Sequence, residues 1–303
     1  MKETQERSLR TLWLICPPAL AVAALLLRLW QSRTAFEGDL SLPIPHAPAS
    51  VALTALLLAS AVVLLGLVVC QKEERIPHGQ DRKLRTGGCM TAAGDRVCLM
   101  LTVAAAFLAL AACPAMLLYG WQLRLEHIRV LSAGGEHSNN GMLVMFTGVA
   151  ALLAFAGLLL AGRDRFRGIR EGKGEASVMM AAVTGGIWLM ESYRGGAADP
   201  VLWNYVPLLL AIICGMLFYM DCAGLAAGAP HPRRTLWLAG AVIVISAVAF
   251  PGGRDAGTML LLGAQMLAAL AVLWRLPMNM EHPPAAEVPA APEEEIQEEN
   301  RNV

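Results

Sequence analysis

The 303-residue sequence has few charged residues, which together make up only 16% of it. Soluble globular domains carry about 25% charged and about 45–50% apolar residues. Here the hydrophobic fraction is 56% and the mean hydropathy is +0.52. The shortage of charge excludes an ordinary soluble domain. Basic and acidic residues are equal in number, 24 of each, so there is no single-sign field of the kind that binds nucleic acid.

Sequence motifs of catalysis and cofactor binding are also absent. Neither HExxH nor GxSxG occurs, so the sequence shows no machinery for metal-dependent hydrolysis or intramembrane proteolysis. The glycine-rich stretch 168–174 lacks the spacing, the following Ser or Thr and the preceding strand of a phosphate loop. All six histidines fall in predicted loops or the tail, where they cannot hold a haem between helices. We expect no catalytic residues and no cofactor, although an enzyme that acts on a lipid is left open.

The apolar residues are gathered into eight segments, most of them roughly as long as the 17–25 residues that cross a bilayer. In hydrocarbon each backbone polar group must bond within its own segment, and barrel strands would alternate apolar and polar residues instead. The sequence therefore predicts an all-α bundle of eight transmembrane helices in four hairpins over residues 1–275. The segments are 11–30, 50–70, 97–121, 142–162, 176–191, 201–221, 235–250 and 258–274, of which the fifth and seventh are short.

The positions of lysine and arginine predict the orientation of the bundle. If the N-terminus is cytoplasmic, eighteen basic residues fall in inner loops or termini and six fall outside. This asymmetry predicts a multi-pass protein of the cell membrane with the N- and C-termini inside. We expect the first segment to be a retained helix and not a signal peptide, because Arg28 interrupts its far end. None of the seven cysteines lies in a loop placed outside, so no disulfide framework is expected.

The C-terminal stretch 276–303 differs in composition from the rest of the chain. It contains seven glutamates and is otherwise rich in proline and alanine, so it cannot bury enough apolar surface to offset its chain entropy. We predict a disordered, acidic cytoplasmic tail. It acts either as a solubilising appendage or as a binding segment for a partner.

Three charged residues lie inside or at the ends of the apolar segments, where charge is costly and is a functional candidate by default: Arg28, Glu191 and Asp221. Arg28 and Glu191 share a predicted depth, so they either form an ion pair lining an outward vestibule or extend separately to the interface. Asp221 either carries protons or marks the inner interface, answered by Arg233 and Arg234.

The loop after the third segment is a candidate external metal site. It holds two carboxylates and two imidazoles within twelve residues, at Glu126, His127, Glu136 and His137. A metal would require three or four of them to converge. Because they have no fixed motif spacing, the alternative interpretation is a solvated loop.

Two stretches resemble a known family: RLWQSRTAFEGDLSLPIPHAPAS, residues 28–50, and DPVLWNYVPLLLAIICGMLFYMDCAGLAAGAPHPRRTLW, residues 199–237. They are similar to segments of a group of bacterial multi-pass integral membrane proteins with no assigned function. The resemblance covers about one fifth of the chain. It implies a bacterial cytoplasmic membrane and a body of about eight helices, and it transfers no activity or ligand.

Two functions from different classes fit these features. One is a small transporter or permease-like protein, favoured by the helix count and by a few intramembrane polar groups. The other is a non-catalytic scaffold or regulatory subunit of a membrane complex, favoured by the scarcity of such groups. The expected partners are the lipid bilayer, a small solute, and a second copy or a membrane partner protein.

The interior of the bundle discriminates between these two functions. If Glu191, Asp221 and the scattered polar residues meet in one cavity near mid-depth, transport is favoured. If they point to the headgroups and the centre is filled with Leu, Ala and Val, the scaffold is favoured. The scattered polar residues are Thr147, Thr184, Asn204, Ser246 and Gln265.

Overall fold

In a computed structural model of the chain, the structure describes residues 2–36, 44, 46–71, 90–134, 141–169, 176–196, 201–227, 231–252 and 255–281. These residues form eight long α-helices and no strand, which confirms the all-α prediction. The helices are α1 (Lys2–Thr34), α2 (Pro48–Cys70), α3 (Arg96–Ser132), α4 (Met142–Arg167), α5 (Met179–Gly196), α6 (Leu202–Ala226), α7 (Pro232–Ala249) and α8 (Ala256–Glu281), with a short 3₁₀ turn, Phe250–Gly252, after α7.

Local sequence signals set several helix ends. Proline occupies the first turn of α2 and of α7, where its missing N–H costs nothing. The Asp95 side chain caps α3 by accepting from the backbone N–H groups of Val97 (2.9 Å) and Cys98 (3.2 Å). Gly168, in the left-handed conformation with φ 70°, ends α4. These ends are therefore determined by residues close by in the chain.

Seven of these helices are long and apolar enough to cross a membrane, so the chain is an integral membrane protein. The exception is α5, whose 18 residues, about 27 Å long, include Glu191 and Arg194 and are less apolar than the crossing stretches of the other helices. The seventh predicted segment, although short, lies in a helical stretch that meets the criterion, Pro232–Gly252. An eighth crossing by α5, the four-hairpin arrangement and the sides of the termini stay predictions.

The helices pack as a ring with a two-helix flank. From α3 to α8 each helix contacts the next, and α8 closes the ring by packing against α3. Helices α1 and α2 lie outside the ring against α7, and α1 also touches α8. As a result α7 is the most buried of the membrane-crossing helices and α2 is the least buried.

The closest contact in the ring joins α3 and α4 through small residues. A Cβ added to Gly141 would collide with the backbone carbonyl of Gly120, and one added to Gly148 would lie 3.0 Å from Met116 Cβ. Gly141 also has a φ of 72°, which favours glycine. Small residues let helix backbones approach closely where lipid supplies no hydrophobic drive for association.

Polar contacts gather at one end of the bundle, which we call the Asp95 end. Asp95 Oδ2 accepts from Trp274 Nε1 (3.0 Å), and the Asn279 side chain donates to the Thr91 carbonyl (2.7 Å). These contacts hold the last turns of α8, which ends at Glu281, six residues beyond the predicted boundary at residue 275. The remainder of the predicted acidic tail lies outside the described residues.

Candidate functional site

Asp221 lies near the Asp95 end and is paired with a cation. Arg234 Nε is 2.8 Å from Asp221 Oδ2, and the two residues lie on consecutive helices, α6 and α7. Arg233, the other expected partner, instead donates to the backbone carbonyl of Gln71 (3.0 Å). The arrangement favours a structural role for Asp221 over proton transfer, because the carboxylate is already matched by a charge.

Arg28 lies toward the opposite end, which we call the Arg28 end, and its side chain is buried, with 5% exposure. Its NH1 group donates to Gln31 Oε1 (2.6 Å) and its NH2 group donates to the Trp203 carbonyl (2.6 Å). The guanidinium carbon also lies 5.8 Å from the centre of the Trp203 ring. Gln31 is held in turn by donating to Ser50 Oγ (2.9 Å).

The ion pair between Arg28 and Glu191 is not formed, so that hypothesis is wrong. Glu191 lies on α5, which belongs to the far side of the ring from α1, and its Oε2 accepts from Ser192 Oγ (3.2 Å). Both side chains are buried and neither extends freely into water. The shared predicted depth did not place them together, because depth says nothing about which helices are neighbours.

A small cavity of about 30 Å³ lies inside the ring near mid-depth. Its lining residues come from α3, α4, α5, α6 and α8. Two of them, Ala154 and Ile212, lie close to the middle of the predicted segments 142–162 and 201–221, which places the cavity near the centre of the membrane. We call it the central pocket; its polar lining side chains are Thr184, Trp188, Tyr219 and Gln265.

The amide of Gln265 is the best-anchored polar group of the central pocket. Its Nε2 donates to Ser246 Oγ on α7 (2.8 Å) and makes a longer contact with the Ala211 carbonyl on α6 (3.4 Å). Gly215 makes room for the other half of the amide, because a Cβ at that position would overlap Gln265 Oε1. The amide therefore links α6, α7 and α8 at mid-depth.

Thr184 and Trp188, one turn apart on α5, supply two further hydrogen-bonding groups. The Thr184 hydroxyl has one proton to donate, and it lies 2.7 Å from the Ala150 carbonyl on α4 and 3.0 Å from the Met180 carbonyl. The indole nitrogen of Trp188 is buried and has no acceptor among the residues that the structure describes. A buried N–H without a partner costs free energy, so it is a donor available to a bound molecule or water.

The sequence indicated part of this pocket. Thr184, Ser246 and Gln265 belong to the scattered polar residues, and the structure brings them together. Thr147 is not in the pocket and donates to the Leu143 carbonyl of its own helix (2.9 Å). The side chain of Asn204 lies outside the described residues.

The sequence analysis missed Trp188 and Tyr219, because an aromatic residue in an apolar helix is usually interpreted as part of the hydrophobic core. The available signal was spacing. Trp188 follows Thr184 by four residues and Gly185 by three, and these offsets put all three on one helical face.

The candidate metal site is only partly visible. Glu126 is exposed on the part of α3 that continues beyond the apolar segment. Glu136 and His137 lie outside the described residues. Among the described residues, no three side chains of His, Cys, Asp or Glu lie close enough to hold a metal ion.

Comparison of the chain with protein-family models, with curated proteins and with solved structures finds no match.

Proposed function

We propose that the chain is a small permease-like protein of the bacterial cell membrane that moves a small solute through the central pocket. The observation that carries this proposal is the meeting of hydrogen-bonding side chains from three helices at mid-depth. Polar groups are costly in hydrocarbon and commonly mark a pathway there. Binding near the bilayer midplane, between helices that surround the site, is the arrangement that transporters use.

The lining of the central pocket indicates the class of solute. It contains an amide, a threonine hydroxyl, a phenol and an indole N–H, and no charged residue among those described. A site with uncharged donors and acceptors suits a neutral solute that can both donate and accept hydrogen bonds. The paired Asp221 and Arg234 lie toward the membrane surface, so the proposed transport is not coupled to a carboxylate in the pathway.

The central pocket is too small for most solutes in this conformation. Its volume of about 30 Å³ has room for about two water molecules. A larger solute requires α5, α6 and α8 to separate. Gly185 shows how tightly these helices meet, because a Cβ there would lie 2.5 Å from Met216 Cγ on α6.

The scaffold function is the second candidate, and a different observation favours it. The largest core cluster, which includes apolar residues around the central pocket, is dominated by alanine, leucine and valine. Glu191 and Asp221 do not line the pocket. For this function we propose the same eight-pass arrangement with both termini inside, with the ring as a rigid body that presents surfaces to a partner.

Permeability measurements on purified protein in liposomes test the proposal. Stopped-flow light scattering follows the entry of water, glycerol and urea after an osmotic jump. We expect the protein to raise the permeability to at least one of them above that of empty liposomes. Gln265→Leu removes the amide and should lower this added permeability about tenfold, the effect of one lost buried hydrogen bond.

Gln122→Leu is the matched control, because Gln122 is exposed on α3, away from the central pocket. It should leave the permeability unchanged. If the protein raises the permeability to none of the three solutes, or if both variants behave alike, the permease proposal fails and the scaffold function is favoured.

A further inference from the structure

A long groove runs along the outside of the ring between α2, α6 and α7. Its volume is about 500 Å³, within the roughly 300–1,000 Å³ typical of ligand pockets. No lining residue is charged, and the single lining hydroxyl, that of Ser60, donates to the Leu57 carbonyl of its own helix (2.7 Å). The groove is therefore almost entirely apolar; its lining includes Trp237, whose buried indole N–H has no acceptor among the described residues.

The length and width of the groove fit an acyl chain. On α7 the lining extends over twelve residues from Trp237 to Val248, a rise of about 16 Å and roughly half of the ~30 Å hydrocarbon core. Its volume spread over that length gives a mean cross-section of about 30 Å². An α-helix with its side chains, about 10–12 Å across, is much wider than this cross-section, and a hydrocarbon chain from one leaflet matches it better.

A buried cation lies at the Arg28 end of the groove. Trp203 lines the groove, and it is also the residue whose carbonyl and ring contact the Arg28 guanidinium. No carboxylate of the described residues lies within ion-pair distance of Arg28. Its contacts with Gln31 and Trp203 are to neutral oxygens and use two of its five N–H donors. A buried guanidinium whose partners among the described residues are all neutral favours an anion beside it.

We propose that the groove and Arg28 together bind one anionic phospholipid, with an acyl chain along α7 and the headgroup phosphate at the guanidinium. Arginine matches phosphate because its planar fork donates two parallel hydrogen bonds. Gln31 and Ser50 orient the fork, since Gln31 is held between Arg28 and Ser50. The site does not depend on permeation through the central pocket, which is lined by different residues.

Native mass spectrometry tests this proposal on the full chain, released from nanodiscs that hold equal amounts of phosphatidylglycerol and phosphatidylcholine. We expect the parent protein to retain one phosphatidylglycerol in preference to phosphatidylcholine. Ala61→Trp places an indole in the groove and should lower this retention about tenfold. Ala104→Trp is the matched control, because Ala104 is likewise exposed but lies on α3. It should retain the lipid.

The headgroup contact is tested separately from the groove. Arg28→Lys keeps the positive charge and should keep the preference for phosphatidylglycerol, while Arg28→Gln should retain both lipids equally. Should Arg28→Gln fail to fold, the comparison of Ala61→Trp with Ala104→Trp still decides whether the groove holds the lipid. Equal retention of both lipids by the parent, or undiminished retention by Ala61→Trp, overturns the proposal. So does a dimer of the chain that Ala61→Trp dissociates, because the occupant would then be a second copy.

Discussion

Asp95 links the start of α3 to the end of α8, and its replacement by alanine should be unusually destabilising. Oδ1 caps α3, and loss of such a cap costs about 0.5–2 kcal/mol. Oδ2 accepts from Trp274 Nε1 (3.0 Å), and a hydrogen bond to a charged group contributes about 1.5–3 kcal/mol. Arg275 NH1 lies 3.8 Å from the same oxygen, and this long, partly exposed pair adds less than about 1 kcal/mol.

These contributions place the expected loss for Asp95→Ala at about 3 kcal/mol in the free energy of unfolding. Asp95→Asn keeps an oxygen for the cap but turns an N–H group toward Trp274 or gives up the cap, so about half of the loss should remain. The measurement is unfolding in mixed micelles of dodecyl maltoside and dodecyl sulfate, followed by far-ultraviolet circular dichroism.

The control is Asp255→Ala at the start of α8. Asp255 accepts from Thr258 N (3.0 Å) and from Thr258 Oγ1 (2.7 Å), so it resembles Asp95 as a cap but has no indole partner. Its loss should cost about 1 kcal/mol. If Asp95→Ala costs no more than Asp255→Ala, the bond between Asp95 and Trp274 contributes nothing to stability and the reasoning is refuted.

Two further predictions concern helix packing and topology. Gly141→Ala should destabilise the protein by at least about 2 kcal/mol in the same unfolding assay, because of the positive φ and the collision with the Gly120 carbonyl. Gly66→Ala, with nothing within 4 Å of the added Cβ, should be neutral or slightly stabilising, and equal losses would contradict the packing argument. Eight crossings would put both termini on the same side, and the positive-inside rule predicts that this side is the cytoplasm. Cysteine-containing tags fused before Met1 and after Val303 should therefore react with a membrane-impermeant maleimide only in permeabilised cells. Labelling of one tag in intact cells would show that α5 does not cross.

Particular side chains show how far the sequence predicted the site. The pairing of Asp221 with Arg234 follows from consecutive helices joined by a short connection, and it is confirmed. Arg28 was singled out from the sequence, but its contact with Trp203 was not, because Trp203 lies 175 residues away in the chain. The sequence left open whether Thr184 and Gln265 meet in one cavity, and only the fold shows that they do.

The sequence by itself determined the helices and their approximate ends. A run of apolar residues long enough for the bilayer must form a helix whatever surrounds it, because every backbone group has to bond within the segment. Caps and prolines then act within a few residues of themselves, as Asp95 and Pro48 do.

The tertiary structure alone decided which helices are neighbours and which face of each one turns inward. Lipid is as apolar as leucine, so a membrane helix has no polar stripe that reveals its outer face. The exposed Leu58 and the buried Leu53 of α2 have the same side chain, yet one faces outward and the other contacts the protein. The central pocket, the groove and the neutral oxygens that contact Arg28 all depend on which face of each helix turns inward. They therefore follow only from the packing of the helices.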